Sequence, residues 1–253
     1  MIKLLKNERL SKVLDMINQR GSVTVHDLVD SLKVSSMTIR RDLDELADND
    51  KIRRVHGGAQ RLKEISTDEL SYLQKRNVNV ALKKEIAKKV ASMIEPGETV
   101  FIGPGSTNEF IVNYLTLDHL RVVTNSIPIF QAFLATNKDY DLTLIGGTYR
   151  SRSGALVGAL TNEFLARLNM SKAFVSVNGI MNDKLMNANP EEGQTQTAAL
   201  DHSKQRFIVA DHSKLNAPDF YDFYSLNQID GLITDSKANK LVLDQYATFT
   251  TIY

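Results

Sequence analysis

Residues 34–46 read VSSMTIRRDLDEL, from Val34 to Leu46. Ile39, Leu43 and Leu46 recur at the spacing that puts them on one face of a helix, and Ser35 stands where a hydroxyl can cap its first turn. The opposite face carries two adjacent arginines, Arg40 and Arg41. Charge on the outer face of a surface helix is ordinarily solvation, so the meaning of this pair rests on its neighbours.

Upstream, Leu10, Val13, Leu14 and Ile17 recur at i, i+3, i+4, i+7, which predicts a helix over Asn7–Arg20 stopped by Gly21. Val25, Leu28, Val29 and Leu32 repeat the spacing, with Thr24 placed as the cap of a second helix. This second helix, the connection KVSS and the helix that carries Arg40 and Arg41 form a helix-turn-helix candidate. Downstream, NDKIRRVHGGA predicts a two-stranded ribbon with Lys51, Arg53, Arg54 and His56 on or near it, closed by Gly57-Gly58. Such a ribbon is a wing. Ser36, Thr38, Arg40 and Arg41 then lie at the amino end and outer face of the third helix, the part such proteins place in the major groove. Hydroxyls and a helix amino terminus suit phosphate oxygens, and arginine can take guanine bidentately, while Arg53, Arg54 and His56 hold the flanking backbone. The three helices alone are equally readable as a generic bundle; the wing turns the reading toward DNA.

Composition sets the frame for the remainder. A chain of 253 residues exceeds the usual single-domain size, and 42% hydrophobic with 24% charged residues is ordinary for a globular protein with a full core. No apolar run approaches the roughly 18 residues that a bilayer span needs, and the amino terminus carries no apolar signal segment, so the expectation is a cytoplasmic protein with no membrane partner. The absence of cysteine removes disulfides, thiolate catalysis and sulfur-ligated zinc together. Residues 1–63 hold 13 basic and 9 acidic side chains, net +4, which leaves 18 and 21, net −3, for the rest. A basic first quarter joined to a mildly acidic remainder fits a polyanion-binding module attached to something else.

Glu64 to Asn79 is polar without sustained periodicity and is read as a connector. Leu82, Ile86, Val90 and Ile94 follow at steps of four, a helix ended by Pro96-Gly97. Beyond it, Thr99–Ile102, Leu120–Val123, Leu142–Ile145, Ala173–Val177, Phe207–Ala210 and Gly231–Thr234 read as short buried strands alternating with helical patterns, which predicts an α/β domain with a mainly parallel sheet. The expected organisation is thus a winged helix-turn-helix over 1–62, a linker over 63–79 and a ligand-binding domain over 80–253. Ligands of such sheets sit outside the carboxyl ends of the strands.

Five successive turns at those ends read GPGSTN, TNS, GGTYR, NGI and DHSK. Gly105 permits close backbone approach, and Ser106 and Thr107 ahead of a helix offer donors to an anion. Lys214 and Arg150 can supply charge; Asn125, Ser126 and Asn178 can bind hydroxyls. Each turn alone is ordinary loop chemistry, but their agreement on one edge points to a phosphorylated, hydroxyl-rich small molecule. Tyr221, Phe223 and Tyr224 read as a cover for the sheet or as a subunit contact. The five histidines show no paired metal-ligand spacing, and GPGSTN lacks the lysine of a nucleotide-binding loop, so neither metal nor cofactor is expected.

LVDSLKVSSMTIRRDLDELADNDKIRRVHGGA closely resembles the signature of the DeoR family of bacterial repressors of sugar metabolism, and TNS, LIGG, VNGI and ADHSK resemble that family's effector domain. The resemblance implies Ser36, Thr38, Arg40, Arg41, Arg54 and His56 as DNA contacts, an effector domain similar to ribose-5-phosphate isomerase, and a sugar phosphate as effector. It brings Gly146, Gly147, Glu192 and Asp211 into the expected ligand set. Where family members show an acidic residue near Gly103-Pro104 and a basic pair after the glutamate matched to Glu192, this chain has EEGQTQTAAL. Those departures are similar to the branch that serves lactose phosphotransferase systems, which implies tagatose 6-phosphate. An activator of opposite sign carries the same motifs. Retained isomerase activity is the enzymatic alternative; it needs a carboxylate base, and where isomerases keep acidic residues this chain has VNGIMND, so Asn178 cannot serve and Glu109, Asp183, Glu192 and Asp211 are the remaining carboxylates. Two reading heads on symmetric half-sites imply a homodimer or homotetramer on double-stranded operator DNA.

Overall fold

Helical periodicity in the first sixty residues and apolar strand-length runs beyond Thr99 give two compact units in the computed structural model, which describes residues 5–55, 57–62 and 69–253. The units are Met1–Glu64 with Asn239–Gln245, and Ile65–Ala238 with Tyr246–Tyr253. No described helix is long and apolar enough to cross a membrane.

The first unit runs α1 (Lys6–Arg20), β1 (Ser22–Thr24), α2 (Val25–Leu32), α3 (Ser36–Asp48), β2 (Ile52–Val55) and β3 (Gly58–Arg61). The apolar stripes of its helices meet as expected: Val13, Ile17, Leu28, Ile39 and Leu43 are wholly buried in one cluster. The backbone N–H of Asp27 donates to Thr24 Oγ1 at 2.9 Å while the Asp27 carboxylate accepts from the Thr24 N–H at 3.1 Å, a reciprocal cap on α2. Ser35 Oγ accepts from the Thr38 N–H at 3.2 Å and starts α3. The wing forms as an antiparallel pair, Arg54 opposite Ala59, with β1 added as a third strand, Ser22 opposite Gln60. That third strand has too few residues to leave a periodic signal.

The second unit opens with α4 (Tyr72–Arg76) and α5 (Val80–Ser92), continues through β4 (Thr99–Ile102), a 3-10 helix (Asn108–Tyr114), β5 (His119–Thr124), α6 (Ile127–Leu134), β6 (Asp139–Leu144), β7 (Thr148–Arg150), β8 (Ala155–Val157) and α7 (Ala159–Leu165), and then β9 (Met170–Ser176), β10 (Gly179–Met181), β11 (Lys184–Asn187), α8 (Pro190–Asp201), β12 (Ser203–Val209), β13 (Tyr221–Ser225) and β14 (Gly231–Ile233). The last helix is α9 (Lys240–Tyr246). All six expected strands form. They make one sheet in the order β14-β12-β9-β4-β5-β6, with every neighbouring pair parallel. Ile86, Ala87 and Val90 of α5 and Ile111 of the 3-10 helix bury against Val100, Ile102, Phe174 and Phe207 on one face; α8 packs against β9 and β12, with α7 beside α8 and β8. The chain is therefore an α/β protein with a winged helix-turn-helix ahead of a parallel-sheet domain.

Two features escaped the linear pattern. A small antiparallel sheet, β10-β11-β13, and a β7-β8 ribbon flank the main sheet. Phe223 and Tyr224 of β13 are buried, and the Tyr224 hydroxyl donates to Asp201 at 2.7 Å, so these aromatics cover α8. The stretch read as a connector also contains α4, whose start is a capping box between Ser71 and Gln74.

The strand order decides where a ligand can sit. From β4 the chain proceeds to β5 and β6 on one side, then returns to place β9, β12 and β14 on the other. The switch point falls between β4 and β9, and the crevice of a doubly wound sheet opens there.

Candidate functional site

On the first unit, Ser36, Arg40 and Arg41 are exposed along the amino end and outer face of α3. Thr38 is half-buried, its hydroxyl 2.9 Å from Ser35 Oγ. Asp42, one residue beyond the arginine pair, points the other way: it is 2% exposed and receives Arg9 bidentately, Nε to Oδ2 at 2.6 Å and an Nη to Oδ1 at 2.9 Å. The hydrogen bond to Asp42, with that carboxylate's opposing charge, holds the Arg9 guanidinium ionised against the contrary pull of burial. This pair fixes α3 to α1 from inside and leaves the outer face free for another molecule. On the wing, Arg54 is partly committed, to Asp44 at 3.1 Å and to the Gly58 carbonyl at 3.3 Å, and Arg53 is half-buried on the same strand. His56 lies outside the described residues.

On the second unit one cavity lies at the switch point. Its walls come from the turn after β4 (Pro104, Gly105, Ser106, Thr107), the turn after β9 (Val177, Asn178) and the turn after β12 (Asp211, Ser213, Lys214). Gly105 has φ +152, and a Cβ there would stand 2.4 Å from Ser176 Oγ, so the turn approaches β9 as only glycine allows. Ser106 and Thr107 are buried just ahead of the helix expected there, which is a 3-10 helix. Ser176 Oγ is buried, faces the cavity and has no hydrogen-bond partner among the described residues. Glu192, in the first turn of α8, and Gln196 one turn later close the floor. Gln196 is held between the Ser176 carbonyl at 3.0 Å and the Asn187 amide at 2.6 Å.

Thus Gly105, Ser106, Thr107, Asn178, Glu192, Asp211 and Lys214 come together as expected. Arg150, reaching in from β7, joins them through Glu192 at 3.3 Å. Asn125, Ser126, Gly146 and Gly147 do not line the cavity, which corrects the expectation that five turns share one site. Their turns follow β5 and β6, beyond the switch point. Most of their polar groups are engaged locally: Asn125 donates to the Leu156 carbonyl at 2.8 Å although its buried Oδ1 has no partner among the described residues, Ser126 caps α6, and the Gly146 carbonyl accepts from Thr161 Oγ1 at 2.8 Å. A Cβ on Gly147 would lie 2.7 Å from the Val157 carbonyl oxygen, a packing reason for that glycine.

The residues missed by the sequence include Glu69, Tyr72, Lys75, Lys83, Ser176 and Gln196, all on the cavity wall. Lys83 is 4% exposed on α5, its ammonium donating to the Lys75 carbonyl. Burial pushes it down to about 8, opposed by Asp211 and reinforced by Lys214 and Lys75. A signal existed: Lys83 precedes Ile86, Ala87 and Val90 by three, four and seven residues, which puts a cation on the buried stripe. Burial also lowers Lys214, against the pull of Asp211, and raises the Glu192 carboxyl. Lys75 Nζ stands 2.9 Å from Asn178 Oδ1 and 3.2 Å from Glu69 Oε1. Glu69 also pairs with Arg150, at 3.3 Å in its longer contact. Three cations, Lys75, Lys83 and Lys214, and three carboxylates, Glu69, Glu192 and Asp211, thus line one cavity, with Arg150 beside it against Glu69 and Glu192; the lysines and the orphan Ser176 hydroxyl suit an anionic group on a ligand.

No metal was expected from the histidines, yet Asp211, His212 and Asp235 bring candidate ligand atoms within 4.8 Å of one another. Asp235 is already occupied by the His212 N–H at 2.7 Å, the His212 ring at 3.0 Å and the Lys237 N–H at 2.9 Å, so the cluster is explained as a turn.

Comparison with known proteins matches both units. The DeoR-like helix-turn-helix domain model covers residues 9–65 and the DeoR C terminal sensor domain model residues 78–236. The lactose phosphotransferase system repressor of Lactococcus lactis subsp. lactis is 37% identical over 254 residues, covering 98% of either chain. That of Streptococcus mutans is 37% identical over 231 residues, 91% of this chain and 92% of its own. Among solved structures, ribose 5-phosphate isomerase A of Methanocaldococcus jannaschii is 15% identical with a TM-score of 0.38, covering 54% of each chain. A transcriptional regulator from Streptococcus pneumoniae is 10% identical with a TM-score of 0.43, over 73% of this chain and 91% of its own. With a reading head and a sensor domain matched in order along its length, this chain belongs to the DeoR family.

Proposed function

We propose that the protein is a repressor of a sugar-catabolism operon that binds double-stranded operator DNA through α3 and the wing and is relieved by a phosphorylated sugar, with tagatose 6-phosphate as the first choice. The observation that carries this reading is the occurrence, in one chain, of an exposed arginine face on a family reading head and of a cavity at the switch point of the sensor sheet whose walls carry three lysines and the orphan Ser176 hydroxyl. Relatives of matching length are named lactose phosphotransferase system repressors. Ser36, Arg40 and Arg41 are the direct readers, with Arg53, Arg54, His56 and Thr38 as supports. The sugar's phosphate sits against Gly105, Ser106, Thr107 and Lys214 with Lys83 behind it; Asn178, Glu192, Asp211 and Arg150 take its hydroxyls. A cytoplasmic homodimer or homotetramer supplies two heads to two half-sites.

An isomerase reading finds less support. Asp211 is engaged by the Ser213 N–H at 2.9 Å and by Asn79 at 3.4 Å, and Glu192 faces Arg150, so the cavity carboxylates are employed in holding cations and turns. Calorimetry with tagatose 6-phosphate, fructose 6-phosphate and unphosphorylated tagatose tests the effector. Selective binding of the first is expected; equal binding of tagatose removes the phosphate subsite.

A further inference from the structure

The segment that follows residue 68 is a wall of the cavity, contributing Glu69, Leu70, Tyr72, Lys75 and Val78. Little apolar burial holds it there. None of the residues of α4 is buried, and Leu70, Leu73 and Val78 remain 48%, 69% and 48% exposed. Its ties to the domain are polar: the Tyr72 N–H to the Arg152 carbonyl at 2.7 Å, the Tyr72 hydroxyl to Glu109, Arg76 to Glu109 at 3.0 Å, Glu69 to Arg150, Lys75 to Asn178 at 2.9 Å, and the Lys75 carbonyl to the Lys83 ammonium. The Glu69 side chain is only 11% exposed.

We propose that Glu69 is a tethered stand-in for the effector's anion: in the free protein its carboxylate occupies Arg150 at the edge of the cavity, and a phosphorylated ligand takes that cation and expels Glu69 with its segment, Lys75 included. The proposal rests on reading this cavity as the effector site. Arg150 already faces a second carboxylate, Glu192, at 3.3 Å, so it keeps a partner when Glu69 leaves, and Lys75, 3.2 Å from Glu69, travels with it. A dianion arriving beside Glu69 is repelled by it, and a segment without buried apolar residues opens at low cost. Arg150 and Lys75 hold the Glu69 carboxyl below its ordinary range although burial pushes the other way, so the charge that competes is present at neutral pH. Expulsion frees residues 69–78, the covalent path between β3 and α5, which gives the ligand a differential effect on two states of the chain.

The test uses the full chain and inorganic phosphate as the probe. Glu69→Gln keeps the side-chain shape and removes the charge; it is expected to bind phosphate roughly tenfold tighter than the wild type, while Glu69→Asp, which retains the charge, stays near wild type. Amide exchange over Tyr72–Val78 should be fast in Glu69→Gln without ligand and become equally fast in the wild type on saturation. Phosphate affinity unchanged or weakened in Glu69→Gln overturns the proposal, even where exchange accelerates, because a purely structural ion pair gives that pattern. If the affinities rank as expected but none of the hexose phosphates binds either protein, the displacement stands and the sugar effector reading fails.

Discussion

Lys83 is a buried ammonium in a cavity of mixed charge, and its pKa near 8 makes its behaviour readable by pH. Its folded value lies below its ordinary 10.5, so folding disfavours the protonated form: the penalty is complete below about pH 8 and disappears as pH rises toward 10.5, and the stability of the free protein should rise over that window. Phosphate binding has the opposite sign because it needs the charge. Effector affinity should therefore fall between pH 7 and 9, and Lys83→Met should bind more weakly with a shallower decline; an unaltered profile in the variant removes Lys83 from the anion's surroundings. Asp42 is the corresponding residue of the reading head. Asp42→Ala leaves Arg9 charged and unpaired and should cost about 3 kcal/mol in a denaturant melt, while Arg9→Met with Asp42→Leu recovers most of it. Both residues were partly legible, each being a charge on a buried helical stripe. Glu69 was not, because its role depends on a contact 81 residues away with Arg150.

At the scale of elements, local signals did most of the work. Caps at Thr24 and Ser35, the helical stripes and the six sheet strands were set by residues adjacent in sequence, and all form. What local pattern could not supply was strand order. The turns after β4 and after β5 look alike in sequence, both rich in small polar residues, but the sheet reverses between β4 and β9, so Ser106 faces the cavity and Asn125 turns to Leu156. Short strands such as β1 and β7 carry too few residues for a period. The β4 turn is testable as an element: Gly105→Ala drives a Cβ to 2.4 Å from Ser176 Oγ and 2.7 Å from its Cβ. The cost should be about 1–3 kcal/mol of stability together with weakened effector binding. Adding Ser176→Gly should recover only part of the loss, because it removes the clash but leaves an alanine at φ +152. If Gly105→Ala binds effector like the wild type, the turn does not cradle the anion.

Over the whole molecule, the basic first quarter and the exposed arginines of α3 make operator binding an electrostatic event. Affinity should fall with salt at roughly −0.9 in log-log slope per phosphate contact, so a chain with several such contacts loses orders of magnitude over a fewfold salt increase. Arg41→Ala should lower operator affinity by about 1–3 kcal/mol and relax preference at one base pair, leaving effector affinity unchanged. The central claim is that ligand occupancy in the sensor cavity lowers DNA affinity at the reading head. The measurement that tests it most directly is fluorescence anisotropy of the full chain on a DNA fragment selected by the protein from a random pool, titrated with tagatose 6-phosphate. Release of the fragment by the wild type, and continued binding by Lys214→Ala at the same ligand concentration, is the expected result. Tighter DNA binding on addition of the sugar phosphate, or identical release by wild type and Lys214→Ala, would contradict the account.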